Sequence, residues 1–538
     1  MHVPHSDIFL LSDINVDLSW RDTIYFSATH QNPAMAPPAP MPGLDNYTTA
    51  STLGISPRGM DFASLQRRDG ALHCDNGPCV DGSCCSKDGI CGYGPDFCGS
   101  GCRSQCDATA MCGEFSKDAD VPCGMNLCCS ATGWCGTTEV YCKNADPIHN
   151  TLPCQAGYGG CSMYPAPKCD PRKHSSSGRT VGYYQSWNVR QRQCNTKTPK
   201  QLDTTGYTHL FYSFAFIDPV TFHITAAHAD DEAMMKEFTS LAKTGLQTWI
   251  AIGGFDFSDP GPTHTTWSDM VSTKANRAAF ISSVETYMKT YGFHGVDLDW
   301  EYPGEPKRGG REMTDTRNFA TLVREMRAAW GQNYGISVTL APDYWYLRWF
   351  DAKAMESSVD FFGFMAYDLH GSWDTDVLTL GSKVRGQADI RDISNNTTPL
   401  WFDGLDPAKI NFGLALYGRG YTLSDPSCNG LLCPFAGPSK PGPCVAEPGV
   451  MSLSEIKQVI KNRDLKSEFL HDSMMKQITW DDQWIGYDDE ETWANKKRFA
   501  NSMCFGGTMI WSIDFQEEAT MSDTEYVILI SYLSQGLV

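Results

Sequence analysis

The chain has 538 residues, 43 basic against 63 acidic side chains, a formal charge of −20 and 22 cysteines, and is too long for one ordinary domain. At 20% charged and 12% aromatic residues it has the composition of a folded protein, and no run of roughly 18 apolar residues is present to span a membrane. The acidic balance, without a basic stripe, excludes nucleic acid as a partner and says nothing against a neutral polymer.

Residues 1–70 lack sustained periodicity, carry a Pro-rich stretch at 32–43 and close on Arg67-Arg68. They are expected to be a disordered leader or pro-segment. The first residues offer only the apolar run 8–11, preceded by Asp7 and no basic stretch, so no signal peptide is apparent and a misassigned start codon is expected. Asn46-Tyr47-Thr48 and Asn395-Asn396-Thr397-Thr398 are glycosylation acceptors.

Seventeen of the 22 cysteines lie between Cys74 and Cys169, the density of small domains that need cross-links to fold. Only His73 and His149 accompany them and no C-x2-C pair occurs, so disulfides are favoured over zinc and no metal is expected. An oxidising, extracellular or cell-wall location follows. Cys79, Cys84, Cys85, Cys91 and Cys98 recur with identical spacing as Cys123, Cys128, Cys129, Cys135 and Cys142, which predicts two tandem modules at 71–107 and 109–170. Cys194 is the expected partner of Cys169.

A polar linker, 171–179, precedes a region of different composition. From residue 180 short apolar runs at 180–184, 210–216, 248–252, 296–300, 336–340, 361–365, 410–416 and 508–511 alternate with helical patterns such as 276–290 and 316–330. Strands apolar on both faces, each followed by a helix, describe a parallel sheet covered by helices. Eight of them over 180–535 predict an α/β fold, a (β/α)8 barrel. The connection at about 422–485 is too long for a turn, carries three cysteines and a helical pattern at 451–461, and is expected to be an inserted α+β subdomain.

In the fourth run, Gly295-Val296-Asp297-Leu298-Asp299-Trp300-Glu301-Tyr302-Pro303 places acids at every second position. A period of two puts Asp297, Asp299 and Glu301 on one face and Val296, Leu298 and Trp300 on the other. In a barrel those acids point inward near the strand's C-terminal end, where such folds hold their chemistry. Like charges stacked together force one group to keep its proton, which makes an acid catalyst.

These residues resemble the signature of glycoside hydrolase family 18, the chitinases. Ala251-Ile252-Gly253-Gly254-Phe255 is similar to that family's strand-three motif, Met365-Ala366-Tyr367-Asp368 to strand six, Tyr417-Gly418-Arg419 to strand seven, and Trp511 to the strand-eight tryptophan. His294 and Ala251 stand where the family often has Asp and Ser. The tandem cysteines and the stretch 487–493 further resemble the fungal killer-toxin-α-subunit-like (class V) group.

The resemblance implies a secreted, endo-type chitinase that needs no cofactor and works by substrate-assisted retention. Glu301 would protonate the glycosidic oxygen and later activate water, while the sugar's N-acetyl oxygen attacks the anomeric carbon. Asp299 would bind the acetamido N–H, with Asp297 behind it sharing a proton, and Tyr367 and Asp368 would orient the acetamido group. Trp511 would floor the sugar site. Gly254, Phe255, Tyr302, Met365, Ala366, Tyr417 and Arg419 would line the cleft.

Residues 112–161 resemble a hevein-type chitin-binding module, which implies sugar contacts at Ser130, Trp134 and Tyr141, with Thr132 replacing a usual aromatic. It implies the bridges Cys112–Cys129, Cys123–Cys135, Cys128–Cys142 and Cys154–Cys161, and by analogy Cys74–Cys85, Cys79–Cys91, Cys84–Cys98 and Cys102–Cys106. The first module has Asp88 and Ile90 where stacking rings belong. The implied partner is chitin or N-acetylglucosamine oligomers, with a toxin subunit as a further partner. Competing readings are an inactive chitin lectin, a toxin carrier docked on cell-wall chitin, and an endo-β-N-acetylglucosaminidase acting on glycoproteins.

Overall fold

A computed structural model describes residues 73–75, 77–79, 82–143, 153–377 and 380–516. The expected leader at 1–70, its acceptor Asn46 and the chain beyond 516 lie outside the described residues.

The eight apolar runs become eight strands: β1 (Thr180–Gln185), β2 (His209–Ile217), β3 (Gln247–Gly253), β4 (Gly295–Asp299), β5 (Gly335–Leu340), β6 (Phe361–Phe364), β7 (Ile410–Ala415) and β8 (Gly507–Trp511). Each pairs in parallel with the next, and β8 pairs with β1 at Met509–Val181, so the sheet closes into a barrel without an edge. All five residues of β4 are buried, as a strand between barrel interior and helices requires.

The helices follow from their periodicity and ends. α1 (Lys274–Tyr291) starts where the Thr273 hydroxyl accepts the Asn276 N–H at 3.1 Å and stops at Gly292, whose φ of 85° suits a residue without a Cβ. Its Phe280, Val284 and Met288, four apart, share one buried face. α2 (Thr314–Trp330) buries Phe319, Leu322, Val323, Met326 and Trp330. Trp300 of the acid segment stacks on Trp267 with ring centroids 5.4 Å apart and meets Phe319 edge-on at 5.2 Å. The apolar face of that segment therefore meets the helices, and its acids face inward.

Between β7 and β8 the chain forms a six-stranded antiparallel sheet. Its first strand, Tyr417–Leu423, lies between Phe435–Pro438 and Gln483–Tyr487, and its residues 417–419 also pair antiparallel with Val450–Ser452. A helix, Leu453–Arg463, is fixed by a capping box in which Ser452 and Glu455 exchange hydrogen bonds. Tyr421, Leu423, Phe435 and Trp484 give this sheet a small core of its own.

In the cysteine-rich region, two short antiparallel pairs, Cys84–Cys85 with Cys91–Gly92 and Cys128–Cys129 with Cys135–Gly136, repeat the same register. Bridges join Cys74–Cys85, Cys79–Cys91, Cys84–Cys98 and Cys102–Cys106 in the first unit. Cys112–Cys129, Cys123–Cys135, Cys128–Cys142 and Cys154–Cys161 close the second.

The expected Cys169–Cys194 pair does not form. Cys169 bonds Cys504, 335 residues away, and Cys194 bonds Cys444, 250 residues away. The reason is packing around the barrel: the N–H of Cys169 reaches the carbonyl of Ser502 at 2.8 Å, and Gln193 N–H reaches the carbonyl of Cys444 at 2.9 Å. The polar stretch 171–179 is pinned as well, because Ser176 is buried and its hydroxyl donates to Asn501 at 2.7 Å.

Candidate active site

Asp297 and Asp299 of β4, and Glu301 just beyond its end, lie buried at the C-terminal end of the barrel. Asp297 is deepest and accepts from three hydroxyls: Ser337 at 2.5 Å, Tyr183 at 2.9 Å and Thr339 at 3.2 Å. Burial pushes it up to about 6, although those donors pull against the rise. Asp299 is raised well above the carboxylate range by burial and by the adjoining charges of Glu301 and Asp297. Its Oδ1 is buried without a hydrogen-bond partner among the described residues, which most buried polar atoms have. Glu301 is pushed up to about 7, first by burial, against a hydrogen bond from Tyr302. A carboxyl near 7 keeps its proton in mildly acidic water and can hand it to a leaving oxygen.

Glycines bring the backbone close to the acids. Gly253 and Gly254 have φ of 105° and 85°; a Cβ on Gly253 would sit 2.3 Å from the carbonyl oxygen of Asp299, and one on Gly254 would sit 2.4 Å from the Phe214 ring. Only glycine fits there.

On the other side, β6 runs into Met365, Ala366 and Tyr367, all buried, followed by Asp368 in a left-handed conformation, φ 58°. Asp368 takes two hydrogen bonds from Arg419, at 2.8 and 2.7 Å. Tyr417 meets Tyr367 edge-on at 6.2 Å, so β6 and the first strand of the insertion meet beside the acids. Trp511 is half-buried, stacked over Phe214 at 5.7 Å and tilted on Tyr183 at 5.5 Å. Tyr302 stacks on Tyr346 at 4.0 Å. Phe255 is exposed, with the Arg308 guanidinium 3.7 Å from its ring centroid.

Several residues of this constellation were not singled out from the sequence. Ser337 and Thr339 alternate with Ile336, Val338 and Leu340 on β5, a period-two pattern legible in the sequence, whereas Tyr183 carried no such signal. Arg308 donates to the carbonyl oxygen of Glu301 at 3.1 Å. Gln387 is buried; its amide oxygen accepts the Asp368 N–H at 3.2 Å and its amide nitrogen donates to the Tyr417 carbonyl at 3.0 Å. Trp373 is exposed, with Arg419 at 4.9 Å.

Ser130, Trp134 and Tyr141 stand far from this cleft in sequence and are only 6%, 4% and 4% exposed. Trp134 packs edge-on against Tyr93 of the first cysteine unit at 5.4 Å, so the first unit covers that face.

The eight parallel strands close into a barrel, with Asp297, Asp299 and Glu301 buried at its C-terminal end and Trp511 half-buried at the end of β8. Residues 179–516 match the glycosyl hydrolases family 18 model, and the chain belongs to that family. It is 26% identical over 435 residues, 77% of this chain, to "Secreted chitinase LysM12" of Penicillium expansum, of whose length it spans 28%. It is 27% identical over 359 residues to mouse "Chitotriosidase-1", covering 64% of this chain and 74% of that protein. Catalytic domain 2 of the Group II chitinase of Ostrinia furnacalis shares the fold with a TM-score of 0.60 at 24% identity, over 68% of this chain and 98% of that one.

Proposed function

We propose that the protein is an extracellular chitinase that cleaves β-1,4-linked N-acetylglucosamine chains with retention. The observation that carries this reading is the buried acid column, in which Asp297 is hydrogen-bonded from three hydroxyls while Asp299 holds Oδ1 unpartnered next to a high-pKa Glu301.

Glu301 gives its proton to the glycosidic oxygen. The acetamido oxygen of the sugar attacks the anomeric carbon, so the chain supplies no nucleophile. Asp299 accepts the acetamido N–H and steadies the developing positive charge, and Tyr367 and Asp368 hold the acetamido group in line. The Arg419 pair keeps Asp368 in position. Glu301, now a carboxylate, takes a proton from water that opens the oxazolinium ion. Trp511 offers an apolar face to the sugar's C–H groups.

Eleven disulfides among the described residues and the name of the Penicillium relative support the extracellular placement. The killer-toxin-like grouping and a toxin subunit as partner form part of the same proposal and are tested by co-purification of a second chain. The test of the activity is a product analysis on N-acetylglucosamine hexamer beside an N-glycosylated protein. Hydrolysis of the hexamer to short oligomers supports the reading, glycan release alone points to an endo-β-N-acetylglucosaminidase, and binding without hydrolysis to a lectin.

A further inference from the structure

The second cysteine unit is seated on the rim of the barrel. Tyr344 donates its hydroxyl to the carbonyl oxygen of Gly124 at 3.2 Å, Asn126 donates to the carbonyl of Phe402 at 3.1 Å, and Tyr164 meets Phe402 edge-on at 5.4 Å. A Cβ on Gly124 would lie 2.1 Å from the carbonyl oxygen of Arg348, so the approach is close. The Cys169–Cys504 bridge ties the chain that follows to the barrel.

The contact leaves a cavity of ≈ 590 Å³ between the two parts, within the range of sites that hold small ligands and at a junction where such sites gather. Leu127, Gly136, Thr137 and Tyr141 wall it from the cysteine unit, and Tyr344 and Trp345 from the barrel. Tyr344 and Trp345 spend their polar ends on protein acceptors, Gly124 and Glu305. Ring surface is what they offer the cavity. The opposite wall carries Asn395 and Asn396, whose amides both donate and accept. Its charges are matched internally: Arg391 pairs with Asp389 at 2.5 Å, and His370 stands between Asp374 at 2.9 Å and Asp392 at 3.5 Å. Rings, amides and balanced charge suit a neutral, polar, amide-bearing ligand rather than an ion. None of the groups around Glu301 lines this space.

We propose that this cavity is a second carbohydrate site that binds a segment of a β-1,4-linked N-acetylglucosamine chain between the cysteine unit and the barrel. The proposal rests on the chitin reading above. It places sugar binding on the barrel-facing side of the cysteine unit, at the half-buried Gly136 and Thr137, rather than on the side where Tyr93 covers Trp134.

The test is calorimetric titration of the full chain carrying Glu301→Gln with N-acetylglucosamine tetramer. Two binding events per chain are expected. Adding Asn395→Trp, which projects an indole into the cavity from an exposed helical position, or Thr137→Trp should leave one event, with the unfolding curve unchanged. A single event before either tryptophan is added, or two events after both, overturns the proposal. A second event that appears only after Asn395→Gln assigns the cavity to a glycan on that residue and overturns it too. One event with hexamer hydrolysis intact in the parent sinks the second site alone. Two events without hydrolysis sink the chitinase reading and leave the site.

Discussion

Tyr183, on the first barrel strand, donates its hydroxyl to Oδ2 of Asp297, on the fourth, at 2.9 Å. The bond crosses the barrel interior, where a donor to a buried carboxylate contributes about 1–3 kcal/mol. Tyr183→Phe should lower stability by about that amount and raise Asp297 further above its value near 6, because the charged form loses a donor. The acidic limb of the pH–rate profile then moves to higher pH. A melt and profile that both superimpose on the parent's would show that the bond contributes to neither.

Stability should fall as pH rises through the range of the buried acids. Asp297 stands at about 6 against 3.8 and Glu301 at about 7 against 4.5, so the folded state binds their protons more tightly than the unfolded state does. The resulting stabilisation is complete below about pH 4 and is lost as pH rises through 6 to 7. Glu301→Gln removes one of these losses. At pH 8 it should be more stable than the parent by on the order of 1–3 kcal/mol, and at pH 4 indistinguishable from it. Denaturant titrations at the two pH values check this, and equal stability at both would contradict it.

Arg419 holds Asp368 through two parallel hydrogen bonds, a geometry that a lysine ammonium cannot reproduce. Arg419→Lys should cost tenfold or more in kcat/KM on N-acetylglucosamine hexamer, about 1.4 kcal/mol or above. Full activity in the lysine variant would mean that charge alone suffices.

The Cys194–Cys444 bridge ties the loop after β1 to the inserted sheet across 250 residues. Closing so long a loop restricts the unfolded chain strongly, so Cys194→Ser with Cys444→Ser should destabilise by about 2–5 kcal/mol. Thermal unfolding measures it. A midpoint unchanged from the parent's would place the clamp's value elsewhere.

The barrel was legible because its strands are short, largely apolar runs and its helices keep a 3.6-residue period; the eight runs from residue 180 to 511 map onto β1–β8. The acid column was legible for a related reason, since alternation along 297–301 assigns faces without tertiary information. Cross-links that span the barrel were not. The resemblance to a hevein-type module implies Cys79 with Cys91, but nothing local tells Cys169 that Ser502 and Cys504 lie beside it. Gln387 was equally silent, being one polar residue in a loop whose meaning comes from two backbones it bridges. The covering of Trp134 by Tyr93 depends on how two similar units stack, which the repeat does not encode.

Hydrolysis of N-acetylglucosamine hexamer by Glu301→Gln beside the parent tests the central claim most directly. Loss of the buried acid should lower kcat by about 10²–10⁴-fold while the oligomer still binds. Turnover within a few fold of the parent would contradict the assignment of Glu301 as the proton donor.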